Sequence, residues 1–238
     1  MKWGSKFPAL YVNRLYSMVQ RHLARPHRFV CFTDDAAGLS AGIEDLPMPS
    51  AGPADAHSGH GWRKLGLFSQ KLGNLTGTTL FFDLDVVVVA SLDAFFDHLP
   101  GETCMIRDYR PLRLRADRFV GNTSVLRFEA GKFPAVLADF CADFDRIHAR
   151  YRNDQEFVSR WLHARKLLHY WPEAWCPSFK HDCVAVGPAS YLTTPRLPAA
   201  ARVVVFHGLP KPEQALTGLG GKWYRHVRPT PWIADHWR

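Results

Sequence analysis

The chain has 238 residues, 47% of them hydrophobic and 22% charged, with 30 Lys and Arg against 22 Asp and Glu for a formal net charge of +8. This is the composition of a folded globular protein, not of a disordered chain, and the length suffices for one large α/β domain or two small ones around a sizeable core. Asp83 and Asp85 interrupt the longest apolar run and MKWGSKFPAL lacks the apolar centre of a secretory signal, so neither a bilayer span nor export is expected, and a soluble cytoplasmic protein is the default.

In chain order, Tyr11, Val12, Leu15, Tyr16, Val19 and Leu23 recur at helical spacing, and Pro26 closes that helix. HRFVCFT (27–33) reads as a short buried strand, and Asp34-Asp35 open the loop after it. Residues 44–60, rich in Pro and Gly, read as one long loop. Residues 61–72 read as a helix with Trp62, Leu65, Phe68 and Leu72 on one face. Residues 80–90 form an apolar strand carrying Asp83 and Asp85, and 92–99 a short helix. NTSVLRF (122–128) is a strand, 133–151 the most regular helix, 154–167 another helix, and RVVVF (202–206) a last strand ending at His207-Gly208. Strands alternating with helices predict an α/β domain around a mostly parallel sheet.

The 5 cysteines are widely spread with no C-x-x-C pair, so buried free thiols in a reducing compartment are expected rather than disulfides or a zinc site. The net positive charge favours an anionic partner, but the basic residues are scattered, and a solvated surface accounts for them equally. No nucleic-acid motif or basic stripe is visible. His57-x-x-His60 lies in a Gly/Pro loop and does not read as a metal site. The tail 222–238 reads as a docked segment, with a lipid-linked or nucleic acid acceptor, or peripheral membrane contact, as the rival readings, although its prolines oppose a membrane-surface helix.

The pair Asp83 and Asp85 demands explanation. Alternation places both carboxylates on one side of the strand with Leu84 opposite, and burying either unpaired is costly. A divalent cation, a basic partner, or a strand that bends or breaks at Leu84–Val86 would relieve the conflict. Hard oxygen ligands suit Mg²⁺ or Mn²⁺ shared with substrate phosphates. A dehalogenase-type phosphatase also carries D-x-D after an apolar strand. There, however, the motif lies near the N-terminus and continues into Gly, whereas here Val86-Val87 follow.

The order of motifs is closer to another family. DLDVVVVASLDAFF (83–96), NTSVLRF (122–128), DQEFV (154–158) and FHGLPKP (206–212) resemble successive motifs of the GT-A-fold nucleotide-sugar glycosyltransferases, specifically the glycogenin-like and galactosyltransferase-like family 8. The chain is also similar to a bacterial family classed with the glycosyltransferases, through K-W-G (2–4), Y-V-N-x-L-Y (11–16), C-F-T-D (31–34) and F-H-G-x-P-K-P (206–212). The resemblance covers nearly the whole chain. It implies a single Rossmann-like GT-A domain over 1–238, with a donor-binding part at about 1–95 and an acceptor-side part at about 96–238. It also implies transfer of a sugar from a nucleoside diphosphate sugar, with UDP as the nucleotide, to a saccharide, glycolipid or protein acceptor, with retention.

On that resemblance Asp83, Asp85 and His207 would hold Mn²⁺ or Mg²⁺, with ribose contact as a second role for Asp83. Lys64 and Lys211 would meet the donor's phosphates, Arg63 being the rival of Lys64. Gly208 would let the backbone approach the diphosphate, and Asp34 would lie near the base or ribose. Asp154, Gln155 and Asn122 would lie around the reacting sugar. From the residues alone, Asp154 is equally a helix N-cap, Asn122 the end of a turn, Lys211 a solvated loop lysine and Asp34 a turn residue.

The pattern departs from the family in places. Only MKWG precedes the Ser5–Pro8 region, so most of the family's first strand is missing; a chain start shorter than the natural one, a differently built edge or impaired nucleotide binding are the readings. Ser124 stands where the family has Gly, and Glu213 where it has Trp. A catalytically silent nucleotide-sugar-binding protein is therefore carried as an alternative beside the phosphatase.

Overall fold

The structure is a computed structural model that describes residues 1–56, 61–109 and 119–238. The His57/His60 pair falls outside the described residues. Its strands are β1 (Val30–Thr33), β2 (Glu44–Pro47), β3 (Thr78–Phe82), β4 (Val86–Val88), β5 (Cys104–Arg107), β6 (Gly121–Glu129), β7 (His169–Tyr170) and β8 (Val203–Val205). Its α-helices are α1 (Ala9–His22), α2 (Ala94–Asp97), α3 (Pro134–Ala142), α4 (Phe144–Arg150), α5 (Asp154–Ala164), α6 (Ala189–Leu192), α7 (Pro212–Thr217) and α8 (Trp232–His236).

The sheet is mixed, not mostly parallel. Among the described residues β1 and β2 pair in parallel, β3-β6-β5-β7 form a sheet in that order, and β4 pairs with β8. The β3·β6, β5·β6 and β4·β8 pairs are antiparallel, and only β5·β7 joins β1·β2 in running parallel. The long return strand β6 causes this: it lies between β3 and β5 and opposes both.

Strand alternation sorts the central sheet into two apolar layers. Phe82, Cys104, Ile106 and Val125 join α1, β4, β8 and the C-terminal Ile233 and Trp237 in one cluster. Phe81, Met105, Leu126 and Phe128 join Trp62, Leu65 and the buried faces of α3 to α5 in the other. The tail is thus docked at its end, with Ile233 fully buried and Trp237 nearly so.

Local chemistry explains where elements depart from the periodicity. The expected helix at 61–72 is a 3₁₀ helix over Gly61–Phe68, and the expected loop at 44–60 contains β2 and a 3₁₀ turn at Gly52–Ala56. The long helix 133–151 is two helices, because Asp143 leaves helical geometry (φ −138°, ψ 44°). Its carboxylate meets Arg146 at 2.5 Å instead, the local competition that disfavours Asp inside helices. Strand β5 went unread because Cys104–Arg107 is short and has no flanking alternation.

The outer edges of β1 and β3 do not pair with each other. Lys2 N donates to Phe32 O at 2.8 Å at one end of β1. The remaining gap is an apolar cavity of about 670 Å³, lined by Val30, Phe32, Leu80, Phe82 and Leu15, with Met1 at its rim. Burial pushes the Met1 α-ammonium below its ordinary pKa.

Arg127 is a charge buried inside this frame, 1% exposed. Its guanidinium donates to the carbonyls of Phe95, His98, Leu99 and Glu102 and lies 5.2 Å from the Trp171 ring centroid. It therefore fastens the turn after α2 to β6. Replacing it by Met strands several buried acceptors, each costing about 1–3 kcal/mol. Arg127→Met is expected to lose about 2–5 kcal/mol of unfolding free energy in urea denaturation; an unchanged midpoint would show that the carbonyls find other donors.

Candidate functional site

The apolar strand breaks at its acidic pair. Segment β3 follows β6, whereas β4 follows β8, so the backbone must step from one partner to the other across Asp83–Asp85. Both ends of the step are pinned: Asp83 N donates to Ser124 O at 2.9 Å, and Phe206 N donates to Asp85 O at 3.0 Å. Leu84, between them, is buried in the first apolar cluster.

Each carboxylate meets a lysine. Lys64 Nζ lies 2.5 Å from Asp83 Oδ1, and Ser124 Oγ donates to Asp83 Oδ2 at 2.8 Å. Lys211 pairs with Asp85 Oδ2. These side chains retain 13–19% of their exposure, so little water screens them. Burial and the neighbouring Asp83 charge push the Asp85 carboxyl up, against the pull of Lys211 and Lys64. Burial works against the Lys64 ammonium, but Asp83 and Asp154 outweigh it and raise its pKa.

Asp154 is the third acid of this group. It is 4% exposed, and burial raises its pKa to about 6 although Lys64 opposes the rise. It is not the helix cap: Asn153 takes that role, its Oδ1 accepting from Glu156 N at 3.0 Å. Gly61 makes the close packing feasible, since a β-carbon there would stand 2.7 Å from Asp154 Oδ1.

His207 lies one residue beyond the Phe206–Asp85 hydrogen bond, but its ring turns elsewhere. Nε2 is paired with Ser178 Oγ at 2.8 Å, and the ring stacks on Tyr109 (centroids 5.1 Å, 5° between planes) and on His181 (5.6 Å). Burial, then the charges of Lys180, His181 and Lys211, lower its pKa to about 3, so the imidazole is neutral at physiological pH. Lys180 Nζ donates to His207 O at 3.1 Å. Burial and then Lys222, Arg225 and Lys211 lower the Lys180 pKa. Lys180 and Arg152 put positive charge on the wall of this end of the site, with Asp108 as the acid beside them.

Beside these groups lies a cavity of about 320 Å³, lined by Asn122, Gln155, Tyr109, Arg152, Lys180 and His207. A cavity of about 770 Å³ adjoins it, sharing Asp108, Tyr109 and His181 and reaching Trp171 and Glu173. Together they offer convergent polar groups and a shaped polar space, the usual form of a small-molecule site.

The structure therefore brings Asp83, Asp85, Lys64, Lys211 and Asp154 together at the strand step, and Asn122, Gln155 and His207 around the adjacent cavity. Asn122 is 7% exposed, and its Oδ1 accepts from Ser124 N at 2.8 Å. Gly208 has φ 78°, and a β-carbon there would come within 3.7 Å of Lys180 Nζ. Asp34 stands apart on the surface, accepting from Gly4 N at 3.0 Å. Among the described residues no group of three or more His, Cys, Asp or Glu side chains is placed to hold a metal ion. With Asp85 taken by Lys211, Asp83 by Lys64 and Ser124, and His207 Nε2 by Ser178, the three expected ligands do not fit one in this arrangement.

Sequence reasoning missed Tyr109, Ser178, Lys180, His181 and Arg152. Four of these lie in stretches without apolar periodicity. The only signal for Lys180-His181 was a basic pair in SFKHDC, a segment that forms a π-helical turn over Phe179–Cys183, a geometry frequent at functional sites.

No family model matches the chain, and no curated protein sequence matches it. Solved structures do resemble it. The galactosyltransferase LgtC, in complex with donor and acceptor sugar analogues, is 15% identical with a TM-score of 0.57, over 86% of this chain and 85% of that one. The glycosyltransferase GlyE of Streptococcus pneumoniae TIGR4 is 12% identical with a TM-score of 0.61, over 88% and 55%. The bifunctional glycosyltransferase WbbM is 13% identical with a TM-score of 0.57, over 95% and 49%. The chain thus spans about half the length of the last two. At these identities the likeness speaks of architecture: the chain has the α/β fold of these glycosyltransferases.

Proposed function

We propose that the chain is a glycosyltransferase that moves a sugar from a nucleoside diphosphate sugar, with UDP as the nucleotide, to a saccharide-bearing acceptor, retaining the anomeric configuration. The observation that carries this reading is the pair of lysine–aspartate contacts at the strand step, beside a polar cavity lined by Lys180 and Arg152. The glycosyltransferase fold supports the class of reaction. Its working place would be the cytoplasm, where the buried thiols stay reduced.

In this reading Lys211 and Lys64 supply point charges for the diphosphate, and Lys180 adds a third. Charge grows on the leaving phosphate as the sugar carbon departs, and preorganised ammonium groups in a little-hydrated site stabilise it. Asn122 and Gln155 would orient the sugar through its hydroxyls. The acceptor oxygen forms the new bond to the anomeric carbon on the face from which the phosphate oxygen leaves. The electron pair of the broken C–O bond stays with the nucleoside diphosphate, whose phosphate oxygen takes the acceptor's proton. No protein nucleophile is required, and Asp154, which does not line the cavity, would act by holding Lys64. Lysines engage both carboxylates, so this reading routes no step through the Mn²⁺ or Mg²⁺ that the sequence resemblance implies.

The test is release of nucleoside diphosphate from a panel of nucleotide sugars, with Mn²⁺ and with EDTA in parallel. Turnover of at least one donor is expected, and Lys211→Ala should lower kcat/KM by about 10²-fold or more. Thermal stabilisation by a donor with no turnover in either arm would instead mark a silent binding protein. Inorganic phosphate released from an aryl phosphate would mark a phosphatase.

Asp154 gives a second check. Its carboxyl binds a proton more tightly folded (about 6) than unfolded (about 4), so its contribution to stability falls as pH rises through that window. Asp154→Asn should therefore gain stability relative to the parent chain in thermal melts between pH ~4 and ~6; parallel pH curves for the two proteins would refute the shifted carboxyl.

A further inference from the structure

One face outside the cavities combines exposed apolar side chains with positive charge. Leu192 is 79% exposed, Trp223 82%, and Leu209 and Leu219 62% each, with Tyr191 and Tyr224 beside them. Three segments bring them together. Tyr191 donates its hydroxyl to Trp223 O at 2.8 Å, Gly187 N donates to Tyr224 O at 2.9 Å, and Gly220 packs against Pro210. Large side chains left this open on one face of a soluble fold generally mark a contact surface.

The charge on this face has one sign. Within segments 186–192, 209–210 and 219–228 the charged residues are Lys222, Arg225 and Arg228, with no Asp or Glu among them. Lys222 and Arg228 are exposed, and Arg228 Nη1 donates to Tyr191 O at 2.8 Å, which fixes a cation beside the apolar group. The shape is equally informative: Trp223, edge-on to Tyr224 with ring centroids 5.4 Å apart, and Leu219 project from Gly-rich turns with Gly218 and Gly220 at positive φ, and neither lines the three cavities described above. Projecting aromatic and aliphatic side chains flanked by lysine and arginine match the headgroup layer of an anionic bilayer, where Trp and Tyr favour the interface and each basic residue adds attraction.

We propose that this face, formed by segments 186–192, 209–210 and 219–228, docks the protein on an anionic lipid surface. The docking face is joined to the cavities: Arg225 Nη1 lies 3.2 Å from His181 Nδ1, and His181 lines both. A molecule held at the bilayer surface would meet the protein at the rim of the site. On the transfer reading, and resting on it, the acceptor is then a lipid-carried saccharide; the docking itself stands without that reading.

The experiment is flotation of the full chain with phosphatidylcholine vesicles and with vesicles that also contain phosphatidylglycerol. Binding is read without donor or acceptor, so its failure is separate from any failure of sugar transfer. The chain should float with the anionic vesicles at low salt, about tenfold more weakly with phosphatidylcholine alone, and be released by high salt. Lys222→Glu should weaken anionic binding by about tenfold. The doubly substituted Trp223→Ser, Leu192→Ser chain, folded by circular dichroism, should lose most of what remains at moderate salt. No flotation, equal flotation with both vesicle types, or flotation indifferent to Trp223→Ser and Leu192→Ser would overturn the proposal. Self-association through this face without vesicle binding would overturn it in favour of a protein partner.

Discussion

Two carboxylates flank a buried leucine at the point where the backbone changes sheets, and each is matched by an ammonium. Without Lys64 and Lys211, Asp83 and Asp85 would be little-hydrated like charges on neighbouring positions, and uncompensating either costs about 3–5 kcal/mol in buried pairs. The arrangement ties together remote parts of the chain: Lys64 comes from the 3₁₀ segment before β3, and Lys211 from the loop before α7. Both sheets end on this junction through Ser124 and Phe206. The same compensation that permits the fold also stores two cations where an anionic ligand could claim them.

That coupling bears on the metal question. Asp, Asp and His are a reasonable donor set for a divalent ion, but here each has a protein partner, and His207 is stacked between Tyr109 and His181. A diphosphate approaching Lys211 would compete with Asp85 for it. Ligand charge and acid charge are thus alternatives for one lysine, and the affinity of the site depends on which of the two holds it.

Much of the fold was legible because periodicity reports burial. Helix α1, the apolar cores of β3, β6 and β8, and the break within LFFDLDVVVV followed from apolar spacing and from the cost of burying Asp83 and Asp85. The mixed sheet direction was not legible, because whether β6 opposes its neighbours depends on connections that local spacing does not encode. The split at Asp143 was hidden for another reason: the apolar positions on either side keep one face, so the pattern runs through the break.

The site divides along the same line. Asp83 and Asp85 stand out because charged groups are anomalous in an apolar run, whereas Asn122 and His207 were singled out only through the motif resemblance. Lys180 and His181, on the π-helical turn, and Tyr109, after β5, lie in stretches without apolar periodicity, where polar residues are ordinary and carry no such signal. Asp154 was read as a helix cap or, by resemblance, as a group near the reacting sugar, and its environment depends on Gly61, 93 positions earlier in the chain.

The most direct measurement is calorimetric titration of UDP and of uridine into the parent chain and into a Lys64→Met, Lys211→Met chain. If the two lysines hold a diphosphate, the parent binds UDP at least about tenfold more tightly than uridine, and the substituted chain loses that margin while staying folded. Equal affinity for UDP and uridine in the parent chain, or a margin that survives loss of both lysines, would contradict the account.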